Sequence, residues 1–214
     1  MASASRGSQR GNVDPFIVMD VMERARLAEA TGRRIIHMEV GQPGTPAPAG
    51  AISALQSALT QPLGYTVALG IPELRAGIAR LYQRWYGLSL DPARVIVTTG
   101  SSGAFLLAFT ALFDAGDRVA LGEPGYPSYR QILRALSLQP VGIPSRLENR
   151  LQPTPEDLEG SEVAGLIVAS PGNPTGTMLD RDALGRLVAW AEERGVAFIS
   201  DEIYHGLHYG APAV

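Results

Sequence analysis

Apolar positions along the chain follow two alternating periods. Between Asp14 and Thr31, Phe16, Val18, Met19, Met22, Ala25 and Ala30 keep the spacing of an amphipathic helix, which Gly32 closes. Ala49–Leu59 returns to that spacing, and in Glu73–Tyr86 the residues Leu74, Ile78, Leu81 and Trp85 share one face. Short apolar runs predict strands at Ile35–Val40, Val95–Thr99, Arg118–Leu121, Pro140–Ile143, Leu166–Ala169 and Val196–Ser200. Helices are expected between the later runs, at Ser102–Phe113, Tyr126–Leu136 and Arg181–Glu193. Gly41–Pro48 and Pro62–Pro72 carry too many prolines and glycines for either element. Arg146–Glu162, polar with several prolines, reads as a surface connection.

Strands apolar on both faces and separated by helices imply an α/β fold, a mostly parallel sheet with helices on both faces. Ligands of such sheets bind beyond the carboxyl ends of the strands. Four strand ends here carry small, polar or aromatic residues: Gly100-Ser-Ser-Gly103, Glu123-Pro-Gly-Tyr126-Pro127, Ser170-Pro-Gly-Asn173-Pro-Thr-Gly176 and Asp201-Glu-Ile-Tyr204-His205. They mark one rim as the candidate site.

Composition narrows the class. The chain has 214 residues, 45% hydrophobic and 18% charged, so it can bury a core. A net charge of −3 gives no attraction to nucleic acid or to an anionic membrane surface. No apolar run is long enough to span a bilayer, and MASASRGSQRGN lacks an apolar signal region, so a cytoplasmic protein with a polar N-terminal tail is expected. With no cysteine there is no thiolate nucleophile or thiolate metal site. All 18 basic residues are arginine, so no lysine side chain can form a Schiff base. His205 and His208 have no carboxylate or cysteine cluster to complete a metal site, so no metal is expected. His205 reads as a rim residue, Trp85 and Trp190 as core, and Glu123 and Glu202 as solvated or capping groups.

Each rim segment admits a plain reading and a chemical one. Gly100–Gly103 is an ordinary cap, or a helix start whose amides and hydroxyls receive a phosphate. Tyr126 is a half-buried aromatic or a face on which a planar ring stacks. Asn173 is part of a rigid turn, or an amide held still by it. Asp201 caps a helix, or ends a buried strand as a carboxylate that needs a cation or hydrogen bonds. Taken together they suit a phosphorylated aromatic cation.

The motifs Gly64-Tyr65…Gly70-Ile-Pro-Glu-Leu-Arg75, Gly100-Ser-Ser-Gly-Ala104, Pro124-Gly-Tyr-Pro-Ser-Tyr129, Asn173-Pro-Thr-Gly176 and Ser200-Asp-Glu-Ile-Tyr204 occur in this order. From about Asp14 onward the chain thereby resembles the class I/II aminotransferases, fold-type I enzymes that use pyridoxal 5′-phosphate (PLP). The resemblance implies that Ser101, Ser102 and Gly103 bind the cofactor phosphate and that Tyr126 stacks on the pyridine ring. It implies that Asn173 and Tyr204 hydrogen-bond the phenolic oxygen and that Asp201 holds the ring nitrogen protonated. It further assigns Tyr65 to the phosphate of a neighbouring subunit and Gly41 to the substrate carboxylate. Asp201 and Tyr204 would tune the ring electronically; a homodimer and an amino acid with a 2-oxo acid as substrates are expected.

The same resemblance places the Schiff-base lysine beyond the motif that contains Asp201 and Tyr204, and the chain stops at Val214. We therefore expect an N-terminal portion of a longer enzyme, itself inactive in transamination. Its parts would be a tail over residues 1–13, an arm and small-domain segment over 14–45, and an incomplete PLP-binding large domain over 46–214. Val95–Thr99 would lack the strand neighbour that such enzymes supply from later in the chain, leaving an open edge. Alternatives are another fold-type I enzyme, a carbon–sulfur lyase or synthase, or a non-catalytic PLP-binding or regulatory protein. A DNA-binding regulator is disfavoured, because the residues before Ile35 offer one helix and a tail.

Overall fold

A computed structural model describes residues 7–210 and 213. Its elements are α1 (Ile17–Ala30), α2 (Ala49–Ala58), α3 (Pro72–Tyr86), α4 (Gly100–Leu112), β1 (Arg118–Glu123), α5 (Pro127–Ala135), β2 (Gln139–Pro144), β3 (Gly165–Ala169), α6 (Arg181–Arg194) and β4 (Ala197–Asp201). They fall into two compact units, one of Met1–Phe16 with Gly100–Val214 and one of Ile17–Thr99. The polar tail expected over residues 1–13 lies partly outside the described residues; within it Gln9–Gly11 forms a 3-10 turn capped by Ser8.

The sheet belongs to the first unit. Its four strands run parallel in the order β2-β1-β3-β4, with Val119 opposite both Pro140 and Gly165, and Ala169 opposite Asp201. Side chains alternate across a strand, so β1 and β3 serve two cores at once. Val119, Leu121 and Ile167 pack with Phe105, Phe109 and Phe113 of the α4 region and Tyr129 and Leu133 of α5. Ala120, Leu166 and Val168 face the other way, onto Leu187, Trp190 and Ala191 of α6. Helices therefore cover both faces, as the apolar strands require. Helix α6 starts where the Asp180 side chain accepts from the Ala183 amide at 2.8 Å. No helix of the described residues is long and apolar enough to cross a membrane.

Four expectations are corrected. Arg146–Glu162 is not merely a surface connection. Its 3-10 turn Pro155–Leu158 is fixed by the Asp157 carboxylate, which accepts from the Thr154 amide and hydroxyl, and it drives Leu158 fully into the second core. Neither Ile35–Val40 nor Val95–Thr99 is a strand, because among the described residues neither has a hydrogen-bonded strand beside it. Instead, the Val97 amide donates to the Leu69 carbonyl at 3.0 Å, and Arg75 of α3 donates to the carbonyls of Val95 and Pro92 at 2.9 and 2.7 Å. Trp190 is buried as expected, but Trp85 is half exposed, together with Leu74 on the same face of α3. The second unit buries only Ala79 and Val95 among its apolar side chains.

Candidate active site

Every strand end singled out in the first unit lies at the carboxyl rim of the sheet or at a helix start next to it. Asp201 is the last residue of β4, paired with Ala169 on β3, and it is buried. Its two oxygens are engaged separately. Oδ2 accepts from the Tyr129 phenol at 2.5 Å, and Oδ1 accepts from the Ile203 amide at 3.1 Å. A carboxylate offers about four acceptor positions, so each oxygen can still accept from an N–H placed before it.

Tyr129 is a site residue that the sequence motif contained without a role. It occupies the first turn of α5, and its ring meets Phe105 at 5.0 Å and Tyr126 at 5.4 Å, both edge to face. Burial first, then the hydrogen bond to Asp201 and the charge of Asp201, push its phenol far above the ordinary tyrosine range. The phenol therefore serves Asp201 as a permanent donor. Tyr126 is half-buried just before α5, with Phe16 against its other edge at 6.0 Å. The segment bearing Phe16 is tied to α5 by Asp14, whose carboxylate pairs with Arg134 and whose carbonyl accepts from Gln131.

Asn173 and Tyr204 come from loops following different strands, yet Asn173 Nδ2 donates to the Tyr204 hydroxyl at 3.3 Å. Used this way, the hydroxyl keeps its own proton for another acceptor, and Nδ2 keeps a second N–H. Both residues line a cleft of about 560 Å³ with Arg150, Met178 and His208. Asn173 also lines a small cavity of about 30 Å³, which it shares with Tyr126 and Tyr129. The turn before it is held by Gln152, whose amide donates to the carbonyls of Ala169 and Thr177 at 3.1 and 2.9 Å. Glu123 is exposed and pairs with Arg130, and the partly exposed Glu202 accepts from the Ser200 hydroxyl.

Ser101, Ser102 and Gly103 form the first turn of α4, where backbone N–H groups lack partners within the helix. Phe105, one turn further on, is the residue that packs on Tyr129. The structure thus gathers Tyr126, Asn173, Asp201 and Tyr204 at the strand ends and sets Ser101–Gly103 on the helix packed beside α5. Gly41 and Tyr65 belong to the other unit, where both stand exposed in irregular segments.

Comparison with known proteins decides the family. The pattern of aminotransferase class I and II matches residues 33–214. The chain belongs to this family. It is 49% identical over 212 residues to the valine–pyruvate aminotransferase of Mycobacterium tuberculosis, covering 97% of this chain and 54% of that one. The crystal structure of an aminotransferase from M. tuberculosis matches with a TM-score of 0.94 at 47% identity, over 99% of this chain and 56% of the other. A crystal structure from Silicibacter pomeroyi matches at 64% identity and a TM-score of 0.90, over 98% and 54% of the two chains. The chain thus spans about half the length of the relatives it matches, and its parallel sheet is that of fold-type I aminotransferases.

The donor set fits the cofactor of that family. A buried carboxylate with unused acceptor capacity suits a protonated ring nitrogen. The Asn173–Tyr204 pair offers two N–H or O–H donors to a phenolate oxygen, and a serine-bearing helix start suits a phosphate.

Proposed function

We propose that this chain is the N-terminal, cofactor-binding part of a longer PLP-dependent aminotransferase that moves an amino group between an amino acid and a 2-oxo acid. The observation that carries this reading is the buried Asp201 carboxylate, oriented from two sides by Tyr129 and the Ile203 amide at the end of β4. When bound, PLP supplies an electron-withdrawing ring that stabilises negative charge at the substrate α-carbon. Asp201 accepts the ring N–H, and Tyr126 lies against the ring. Asn173 and Tyr204 donate to the phenolic oxygen, and Ser101, Ser102 and Gly103 hold the phosphate. Gly41 offers backbone to the substrate carboxylate, and Tyr65 reaches the phosphate of a second subunit in a cytoplasmic homodimer. The full exposure of Tyr65 suits that role.

With no lysine anywhere in its sequence, the 214-residue chain binds the cofactor without a covalent link and does not transaminate alone. Noncovalent binding is tested with 4′-deoxypyridoxine 5′-phosphate, which lacks the reactive aldehyde. A saturable absorbance change in the wild type that Asp201→Ala abolishes is the expected result. No saturable change in the folded wild type, or transaminase activity above a PLP blank, would overturn the respective claim.

A further inference from the structure

The pairing of Asn173 with Tyr204 at 3.3 Å is long for a hydrogen bond, and it joins the loops that follow β3 and β4. A second cross-link lies directly behind it. His205 follows Tyr204, its side chain is 6% exposed, and its Nε2 lies 3.0 Å from the Ser170 carbonyl oxygen. A carbonyl only accepts, so Nε2 carries the proton and donates.

Ser170 is the hub of this corner. It is buried, its amide donates to the Asp201 carbonyl at 3.2 Å, and its hydroxyl accepts from the Leu179 amide at 3.0 Å. The carbonyl that His205 holds is thus that of a residue fixed to β4 and to the chain entering α6. Three residues later comes Asn173. The His205 amide in turn donates to the Glu202 carbonyl at 3.0 Å, which closes the turn that presents Tyr204.

We propose that His205 is a positioning residue: its Nε2–H, bound to the Ser170 carbonyl, sets the spacing between Asn173 and Tyr204 and so the site for the ring's phenolic oxygen. The inference rests on the cofactor reading above for its ligand, but not for its geometry. His205 lines neither of the two cavities that Asn173 borders, and it acts through the two loops it joins.

Three variants separate the hydrogen bond from the bulk of the ring. His205→Phe keeps the volume without a donor, His205→Gln restores an N–H at similar reach, and Tyr204→Phe removes one donor to the phenolate. In the 214-residue chain, binding of 4′-deoxypyridoxine 5′-phosphate is read by titration and by the absorption band of its phenolate. The Asn173 side-chain amide is read by ¹⁵N–¹H NMR, with circular dichroism as the check on folding. His205→Phe is expected to weaken binding roughly three- to tenfold, the worth of one hydrogen bond, and to diminish the phenolate band as Tyr204→Phe does. It also moves the Asn173 amide signals. His205→Gln returns binding to within about twofold of wild type, since its donor replaces the lost one, and returns the amide signals. Unmoved Asn173 signals in His205→Phe, or failure of His205→Gln to restore them, would overturn the positioning role. Wild-type binding that His205→Phe leaves unchanged would overturn it equally. If wild type fails to bind the analogue, the cofactor reading falls, and the Asn173 signals alone decide the positioning role.

Discussion

The Tyr129 phenol and the Asp201 carboxylate, 72 positions apart in sequence, meet in a buried hydrogen bond of 2.5 Å. The bond joins the first turn of α5 to the end of β4, so it links one helical layer to the strand that carries the candidate ring-nitrogen partner. Removing the donor leaves a buried acceptor short of a partner, while a phenylalanine ring would keep the packing on Phe105. Tyr129→Phe should therefore cost about 1–3 kcal/mol in urea unfolding.

The same pair predicts an alkaline signature. Because the folded phenol is raised above its ordinary value of 10.0, its contribution is complete below that pH and is lost as pH rises further, where only the unfolded chain releases the proton. The stability gap between wild type and Tyr129→Phe should then narrow above pH 10.0. A gap that stays constant or widens there would contradict the buried, donating phenol.

Packing of Phe113, just past α4, on the sheet sets a third prediction. Gly165 opens β3 directly beneath the Phe113 ring, and a β-carbon there would collide with the ring's outer atoms. Gly165→Ala should destabilise the chain by about 1–3 kcal/mol, as overpacking does. Adding Phe113→Leu should recover part of the loss; a double variant no better than the single one would place the strain elsewhere.

Gly70 meets two restrictions at once in the second unit. Its φ is +98°, and a β-carbon would stand 2.5 Å from Val97 Cγ2. The adjoining Val97 amide bonds to the Leu69 carbonyl, so the neighbour cannot retreat without breaking that bond. Gly70→Ala should cost more than the ~1 kcal/mol that a left-handed conformation alone imposes on an L-residue. Hydrogen exchange at the Val97 amide is the local readout, and unchanged protection there would show that the contact is not tight.

The strands of the sheet were legible because burial on both faces writes them as continuous apolar runs, as in Leu166–Ala169. Val95–Thr99 carries the same signature but is no strand. An apolar run says that a segment can pair, not that a partner is present, and here its backbone groups are met by Leu69 and Arg75. Similarly, Leu158 was hidden by the prolines and carboxylates around it, which build the turn that buries it. Asp201 could be read from its place after an apolar strand. Tyr129 could not, because a partner 72 residues away leaves no local pattern. Asn173 and Tyr204 were tied together by family resemblance, and their direct contact is a result of the fold. Gly41 and Tyr65 were singled out by that resemblance, and both stand exposed in irregular segments.

His37 carries the last prediction. Its Nδ1 lies 2.6 Å from Glu39 Oε1 and its Nε2 2.9 Å from Glu29 Oε1, so one imidazole bridges the end of α1 and the segment leading to Gly41. The second Glu39 oxygen accepts from the Met38 amide at 2.9 Å, which holds that carboxylate in place. Both ring nitrogens can donate only when the ring is protonated. The hydrogen bond to Glu39 first, and that to Glu29 second, raise the imidazole from 6.5 to about 9. A raised value means that the bridge contributes fully below pH 6.5 and is lost as pH climbs through about 9. An NMR titration of the His37 ring protons should show a midpoint near 9, falling further in Glu39→Gln than in Glu29→Gln. Exchange protection around residues 35–40 should fall over the same range in wild type and show no such step in His37→Gln. A wild-type midpoint at 6.5, the ordinary histidine value, would mean that the two carboxylates do not clamp the ring in solution.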